Sequence, residues 1–191
     1  FLDKNSNFKH DNDEFYTFSD DVGVYQIRFG KRLISIEGFD VQTGNYLKNF
    51  FMMSEPNNAN DFIVISPITT VNAFFRNKEI FHQALGIDEE LNIITTDPIE
   101  NLDNDKNVVD LYEKGIKIGL LAYSLQNIIN DQNATNENTK ESFEILSNEI
   151  EDQYLKRGVE VDIASKDFLE MLFTSINAQL DNEKLNKLIN I

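Results

Sequence analysis

At 191 residues the chain is long enough to bury one sizeable core or two small ones sharing an interface. The absence of Cys excludes a disulfide framework, a thiolate nucleophile and Cys-based zinc or iron–sulfur sites. A net charge of −16 argues against nucleic acid as a partner, because phosphate binding rests on clusters of Lys and Arg. With 41% apolar residues and 15 Phe the composition is that of a globular chain, and no apolar stretch is long enough for membrane insertion.

The chain opens directly on Phe1-Leu2-Asp3, with no basic region or apolar run before it, which reads as a fragment or a processed form. From Asp3 to Glu14 the oxygen-bearing side chains fall at the spacing of a calcium loop. Asp3, Asn5, Asn7, Asp11 and Glu14 take positions 1, 3, 5, 9 and 12, and Lys9 at position 7 offers its backbone carbonyl. A Ca²⁺ ion needs six to eight oxygens at about 2.3 to 2.6 Å, and Glu14 closes such a shell with both carboxylate oxygens. Position 6, where the backbone turns sharply and Gly is usual, is Phe8. A polar loop rich in Asx turns is the other reading of the same residues.

The alternation in Val22 to Phe29 predicts a half-buried strand, Leu33 to Ile36 a second, and Tyr46 to Met53 a further β-prone run rich in Phe and Met. Phe62 to Ile65 reads as a short buried strand. At Ser66-Pro67 the texture changes: Ser is a preferred N-cap and Pro is tolerated at the first helical position, so a helix begins here, with Ile68, Val71, Phe74 and Phe75 on its buried face. Asn77 caps a short helix that ends at Gly86, and Asp97 caps a turn with Ile99 and Leu102 as its buried contacts. Asp103, Asp105 and Asp110 read as a solvated loop, since the twelfth position of that cluster is Lys114.

Val108 to Ile129 is the most apolar helix. Val109, Tyr112, Ile116, Leu120 and Tyr123 form its main stripe, widened by Ile118, Leu121, Leu125 and Ile128, while Gly115 and Gly119 permit close helix approach. A polar connector from Asn130 to Lys140 leads to a helix over Glu141 to Arg157, buried through Phe143, Leu146, Ile150 and Tyr154, with acidic residues opposite and Gly158 as its stop. Ser165 caps Lys166 to Leu180, and Asp181 a last helix through Leu185, Leu188 and Ile189. The fold class expected is α+β: a small, incomplete β-sandwich over residues 1–65 followed by an α-helical bundle over 66–191.

Three motifs carry a resemblance. Phe1-Leu2-Asp3-Lys4-Asn5-Ser6-Asn7, with Asp11 and Glu14, resembles the FLDxNGNGxxDxxE opening of calcium-binding β-sandwich modules, the B-type or carboxypeptidase-regulatory-like repeats of bacterial surface proteins. Gly38 to Gly44 resembles the GxDxxTG element that follows it. Val64 to Thr70, Gln83 to Ile87 and Thr95 to Pro98 are similar to the SPLTTL, ALGL and FDP helical region of giant adhesins and secreted repeat proteins. Ser6 and Phe8 stand where that family has Gly.

The resemblance implies a non-enzymatic structural or adhesive module, secreted or at the cell surface, with Ca²⁺ held by Asp3, Asn5, Asn7, Lys9, Asp11 and Glu14. Its partners would be neighbouring modules of one parent protein, or another surface protein or glycan. An alternative is capture of a peptide, glycan or neighbouring subunit by the sheet–helix groove or by Tyr46 to Met53, and a third is strand exchange with another subunit beside Phe1. His10 and His82 are the only histidines, and no phosphate-cradling or zinc motif appears.

Overall fold

The computed structural model describes residues 1–28, 30–38, 44, 46–56, 62–100, 102, 105–129 and 135–177. The fold is α+β, as expected: a two-stranded antiparallel sheet, β1 (Leu33–Ile36) and β2 (Phe51–Ser54), precedes helices α1 (Pro67–Phe74), α2 (Phe81–Leu85), α3 (Lys106–Ile129), α4 (Asn136–Arg157) and α5 (Lys166–Asn177). Ile34 faces Met53 in the ladder, and Leu2 makes an isolated bridge to Leu33.

Both flanks of this small sheet are occupied. On the β1 side Phe1 exchanges backbone hydrogen bonds with Ile34, at 2.7 and 2.9 Å, and Leu2 donates outward to the Phe15 carbonyl at 2.8 Å. On the β2 side the Thr70 hydroxyl accepts from the Met53 N–H at 2.9 Å and the Thr69 hydroxyl donates to the Met53 carbonyl at 2.9 Å. Ser66 caps α1 in a reciprocal capping box with Thr69, and Pro67 occupies the first turn, where its missing N–H costs nothing. The Ser66-Pro67-Ile68-Thr69-Thr70 run thus starts a helix and seals a sheet edge with the same residues. An edge left open would invite pairing with another chain.

Packing crosses the change from sheet to helix at residue 65. Phe50 meets Phe143 of α4 edge to face at 5.9 Å inside the core formed by Val71, Phe75, Phe81, Leu146, Ile150 and Phe168. A second cluster joins Ile34, Phe51 and Met53 to Phe1, Phe8 and Phe74. Phe50, Phe51 and Met53 are therefore core residues, and the apolar run from Tyr46 to Met53 does not form an exposed patch.

Several expectations are corrected. Tyr25 and Ile27 are half-buried against exposed Gln26 and Arg28, so the alternation is real, but among the described residues Val22 to Arg28 belongs to no ladder. Among the described residues Phe62 to Ile65 is likewise no strand; its Val64 N–H donates to the Ile94 carbonyl at 2.7 Å, and the Tyr25 hydroxyl donates to the Ile63 carbonyl at 2.8 Å. Burial pushes the Tyr25 phenol up to about 12.

Ile99 is exposed and not a buried turn contact, although Asp97 does accept from its N–H at 2.8 Å. In α3 the buried ridge is Val108, Leu111, Ile118, Ala122 and Leu125, while Ile116, Leu120 and Tyr123 face outward. The reason lies in the two glycines. A Cβ on Gly119 would come within 3.2 Å of Pro67 and one on Gly115 within 3.6 Å of Ile68, so close contact with α1 rotates the small-residue ridge inward and the bulkier stripe out.

α4 begins earlier than expected, at a Thr135 cap with its own capping box, and it buries two acids, Glu149 and Glu151, beside its apolar face. Gly86 and Gly158 end α2 and α4 in the left-handed conformation, and Ser165 accepts from the Phe168 N–H at the head of α5. Asp103, most of Gly38 to Gly44 and the expected helix after Asp181 lie outside the described residues. Among the described residues, no helix is long and apolar enough to cross a membrane.

Candidate metal centre

The Asp3–Glu14 loop leaves the sheet at Asp3, whose N–H donates to the Arg32 carbonyl at 3.1 Å, and returns at Phe15. Between these points the loop is organised by its own polar side chains. Asp3 accepts from the Asn7 and Phe8 N–H groups, both at 3.2 Å; Asn5 Oδ1 accepts from Asn7 at 3.1 Å, and Asn7 Oδ1 from Lys9 at 2.8 Å. Glu14 reaches back to the Lys4 N–H at 2.6 Å and the Asp11 N–H at 3.2 Å. Asp11 accepts from the side-chain amides of both Asn5 and Asn7, at 2.7 and 2.8 Å. The side chains of the five candidate positions thus form one network, with Asp3 and Glu14 buried and the other three toward solvent.

Two backbone positions matter most. Ser6 has φ +63° and Phe8 φ +62°, the left-handed region that a side chain enters at a cost of about 1–2 kcal/mol. Phe8 offsets that cost through its ring. It stacks on Phe74 of α1 at 6.1 Å, tilts against Phe51 at 6.3 Å, and carries the Arg32 guanidinium and the Lys140 ammonium over it at 4.5 and 4.6 Å. Each such cation–π contact contributes about 0.5–1 kcal/mol. The residue that replaces the usual Gly is thereby the loop's anchor on the helical body.

Sequence reasoning missed Arg32. Its Nη1 lies 3.4 Å from Asp3 Oδ2, its Nε donates to Glu55 at 2.8 Å, and the other oxygen of Glu55 lies 3.9 Å from Lys78. Lys78 in turn donates to the carbonyls of Asn72 and Ala73 at the end of α1, where a cation suits the helix dipole. Burial pulls the Lys78 ammonium below its usual value, against the opposing pull of Glu55. A chain of alternating charge therefore runs from the loop to the C-terminus of α1. No motif announces it; the only signal was a lone Arg beside a β-prone run.

The donor chemistry is all oxygen, as a hard cation requires. In this conformation the carboxylates are committed elsewhere: Asp3 to Arg32 and two N–H groups, Asp11 to two amides, and Glu14 to two N–H groups. Among the described residues, no three Asp, Glu, His or Cys side chains cluster closely enough to hold a metal ion.

His10 meets Phe1 and Tyr16 edge to face at 5.5 and 5.1 Å, with Nε2 3.3 Å from the Glu14 carbonyl, and His82 Nδ1 lies 2.9 Å from the Asp88 carbonyl. No family model, curated protein or solved structure matches the chain.

Proposed function

We propose that the chain is a non-enzymatic structural and adhesive module of a large secreted or cell-surface bacterial protein, with Ca²⁺ in the Asp3–Glu14 loop stiffening its β front. The observation that carries this reading is the left-handed backbone at Ser6 and Phe8, the two positions where the similar surface-protein loops have Gly. Left-handed backbone is what Gly supplies without a Cβ penalty, so its retention at Ser6 and Phe8 supports a loop built to that pattern.

In this reading the ion is bound by side-chain oxygens of Asp3, Asn5, Asn7, Asp11 and Glu14 and the backbone carbonyl of Lys9. The carboxylates of Asp3 and Asp11, now paired with Arg32 and the Asn amides, would hold the ion, and Arg32 would retain Glu55. Because the loop is stapled through Phe8 to α1 and α4, ion-binding free energy becomes folding free energy for the whole front. Neighbouring modules of the parent protein, or a surface protein or glycan, are the partners that such a spacer would hold in place.

Thermal unfolding in chelator and across a calcium titration, with magnesium as control, tests the reading. A calcium-specific rise in melting temperature, absent from the Asp3→Ala/Glu14→Ala variant, is the expected result. An unchanged melting curve would overturn it.

A further inference from the structure

Beyond the loop, the chain passes through Phe15–Ser19 to a turn closed by Asp20, which donates its N–H to the Val24 carbonyl at 2.9 Å and accepts from the Val22 and Val24 N–H groups through its carboxylate. Tyr16 and Phe18, two residues apart, stand 63% and 84% exposed with their rings edge to face at 5.9 Å. That contact is what an extended backbone gives, since side chains i and i+2 share a face. Phe15 spends its carbonyl on Leu2, so in an extended run the backbone groups of Tyr16 and Phe18 point the other way. Among the described residues, no backbone–backbone hydrogen bond involves Tyr16 to Ser19.

The molecule itself indicates what suits those rings. Phe15, their neighbour, has Lys4 and Arg28 over its face at 4.8 and 4.3 Å, and Phe8 has Arg32 and Lys140. Tyr16 and Phe18 have no such cation among the described residues, yet Asp13, Asp20 and Asp21 flank them in sequence, all exposed. Bringing two copies together here would oppose like charges on chains of net charge −16, which disfavours self-association.

We propose that Phe15–Ser19 is a docking edge for an extended, basic segment of another protein. That segment pairs with the backbone of Tyr16 and Phe18 and lays Lys or Arg side chains over their rings and toward the flanking carboxylates. The proposal does not depend on an ion in the loop and is tested in chelator.

The test is fluorescence anisotropy with a labelled peptide of alternating lysine and valine, its glutamate–valine counterpart, and a lysine–valine peptide N-methylated on alternate residues. Saturable binding of the first alone is expected, weakened about tenfold or more in a Tyr16→Ser/Phe18→Ser variant, equivalent to about 1.4 kcal/mol. Both side chains are exposed and Tyr16 gives up only its edge contact with His10, so the unfolding midpoint of the variant should shift little and the variant should remain folded. Equal binding by the variant would reduce the effect to polycation on an acidic surface, and equal binding by the N-methylated peptide would remove strand pairing; either overturns the proposal, as does no saturable binding. Concentration-dependent self-association abolished by the same substitutions would give the edge to a second copy and overturn it too.

Discussion

Two carboxylates in this molecule do nearly the same local job by different routes. Asp3 accepts from the N–H groups of Asn7 and Phe8, four and five residues ahead, each at 3.2 Å, with the Arg32 guanidinium at 3.4 Å. Glu151 accepts from the N–H groups of Arg76 and Asn77, seventy-five and seventy-four residues behind, at 3.0 and 2.9 Å, with Arg76 Nε at 3.0 Å. The first is a short polymer closing on itself. The second exists only because α4 is packed in register against the turn after α1. The local carboxylate finds its two N–H donors within its own loop, whereas the distant one finds them only when two remote segments are docked.

The largest effect should come from removing the packing that puts Glu151 in place. Phe143 is fully buried against Phe50, and Phe143→Ala should cost about 3–5 kcal/mol in urea unfolding followed by far-ultraviolet circular dichroism. Loss of less than about 1 kcal/mol would mean that α4 does not depend on this contact.

Glu151→Ala should cost about 2–3 kcal/mol, since two backbone N–H groups and a guanidinium lose a charged acceptor. Burial raises the carboxyl's pKa, but hydrogen bonds from the Arg76 side chain and from the Arg76 and Asn77 backbone outweigh it and hold the group below its usual value of 4.5. A depressed carboxyl contributes stability that is present above the unfolded value and lost as pH falls through the folded one. The parent should therefore weaken on acidification below about pH 4.5 more steeply than Glu151→Ala; parallel acid titrations of the two would count against it.

Thr70→Val strips the Met53 N–H of its acceptor in a buried place and should cost about 1–2 kcal/mol by the same unfolding assay. The smallest effect concerns the loop. Phe8→Ala and Phe8→Gly both lose the aromatic anchor, but at φ +62° glycine is free of the Cβ penalty, so Phe8→Gly should be the more stable of the two by about 1 kcal/mol. The reverse order would mean that the loop abandons this course once its anchor is gone.

What could be read without coordinates was local. Ser66-Pro67 capping α1, Asn77 capping the 3₁₀ turn Lys78–Ile80, and Gly86 and Gly158 as left-handed stops all depend on a few adjacent residues. The failures share a cause as well. Period-two alternation in Val22 to Arg28 reports which side chains are inward, not whether a partner strand exists. The stripe of Ile116, Leu120 and Tyr123 was as apolar as the true core ridge, and only the approach of Pro67 and Ile68 to the α3 glycines selected between the two faces.

By itself, then, the sequence determined the Ser66-Pro67 start of α1, the Gly86 and Gly158 stops and the α+β order of elements, because those energies are exchanged between neighbours along the chain. The tertiary structure decided which face of α3 is buried, that Glu149 and Glu151 are buried beside the core, that threonine hydroxyls seal β2, and that Phe8 anchors a strained loop to the helical body. Each of these is a choice among options of nearly equal local energy, and it is settled by a contact with a segment remote along the chain.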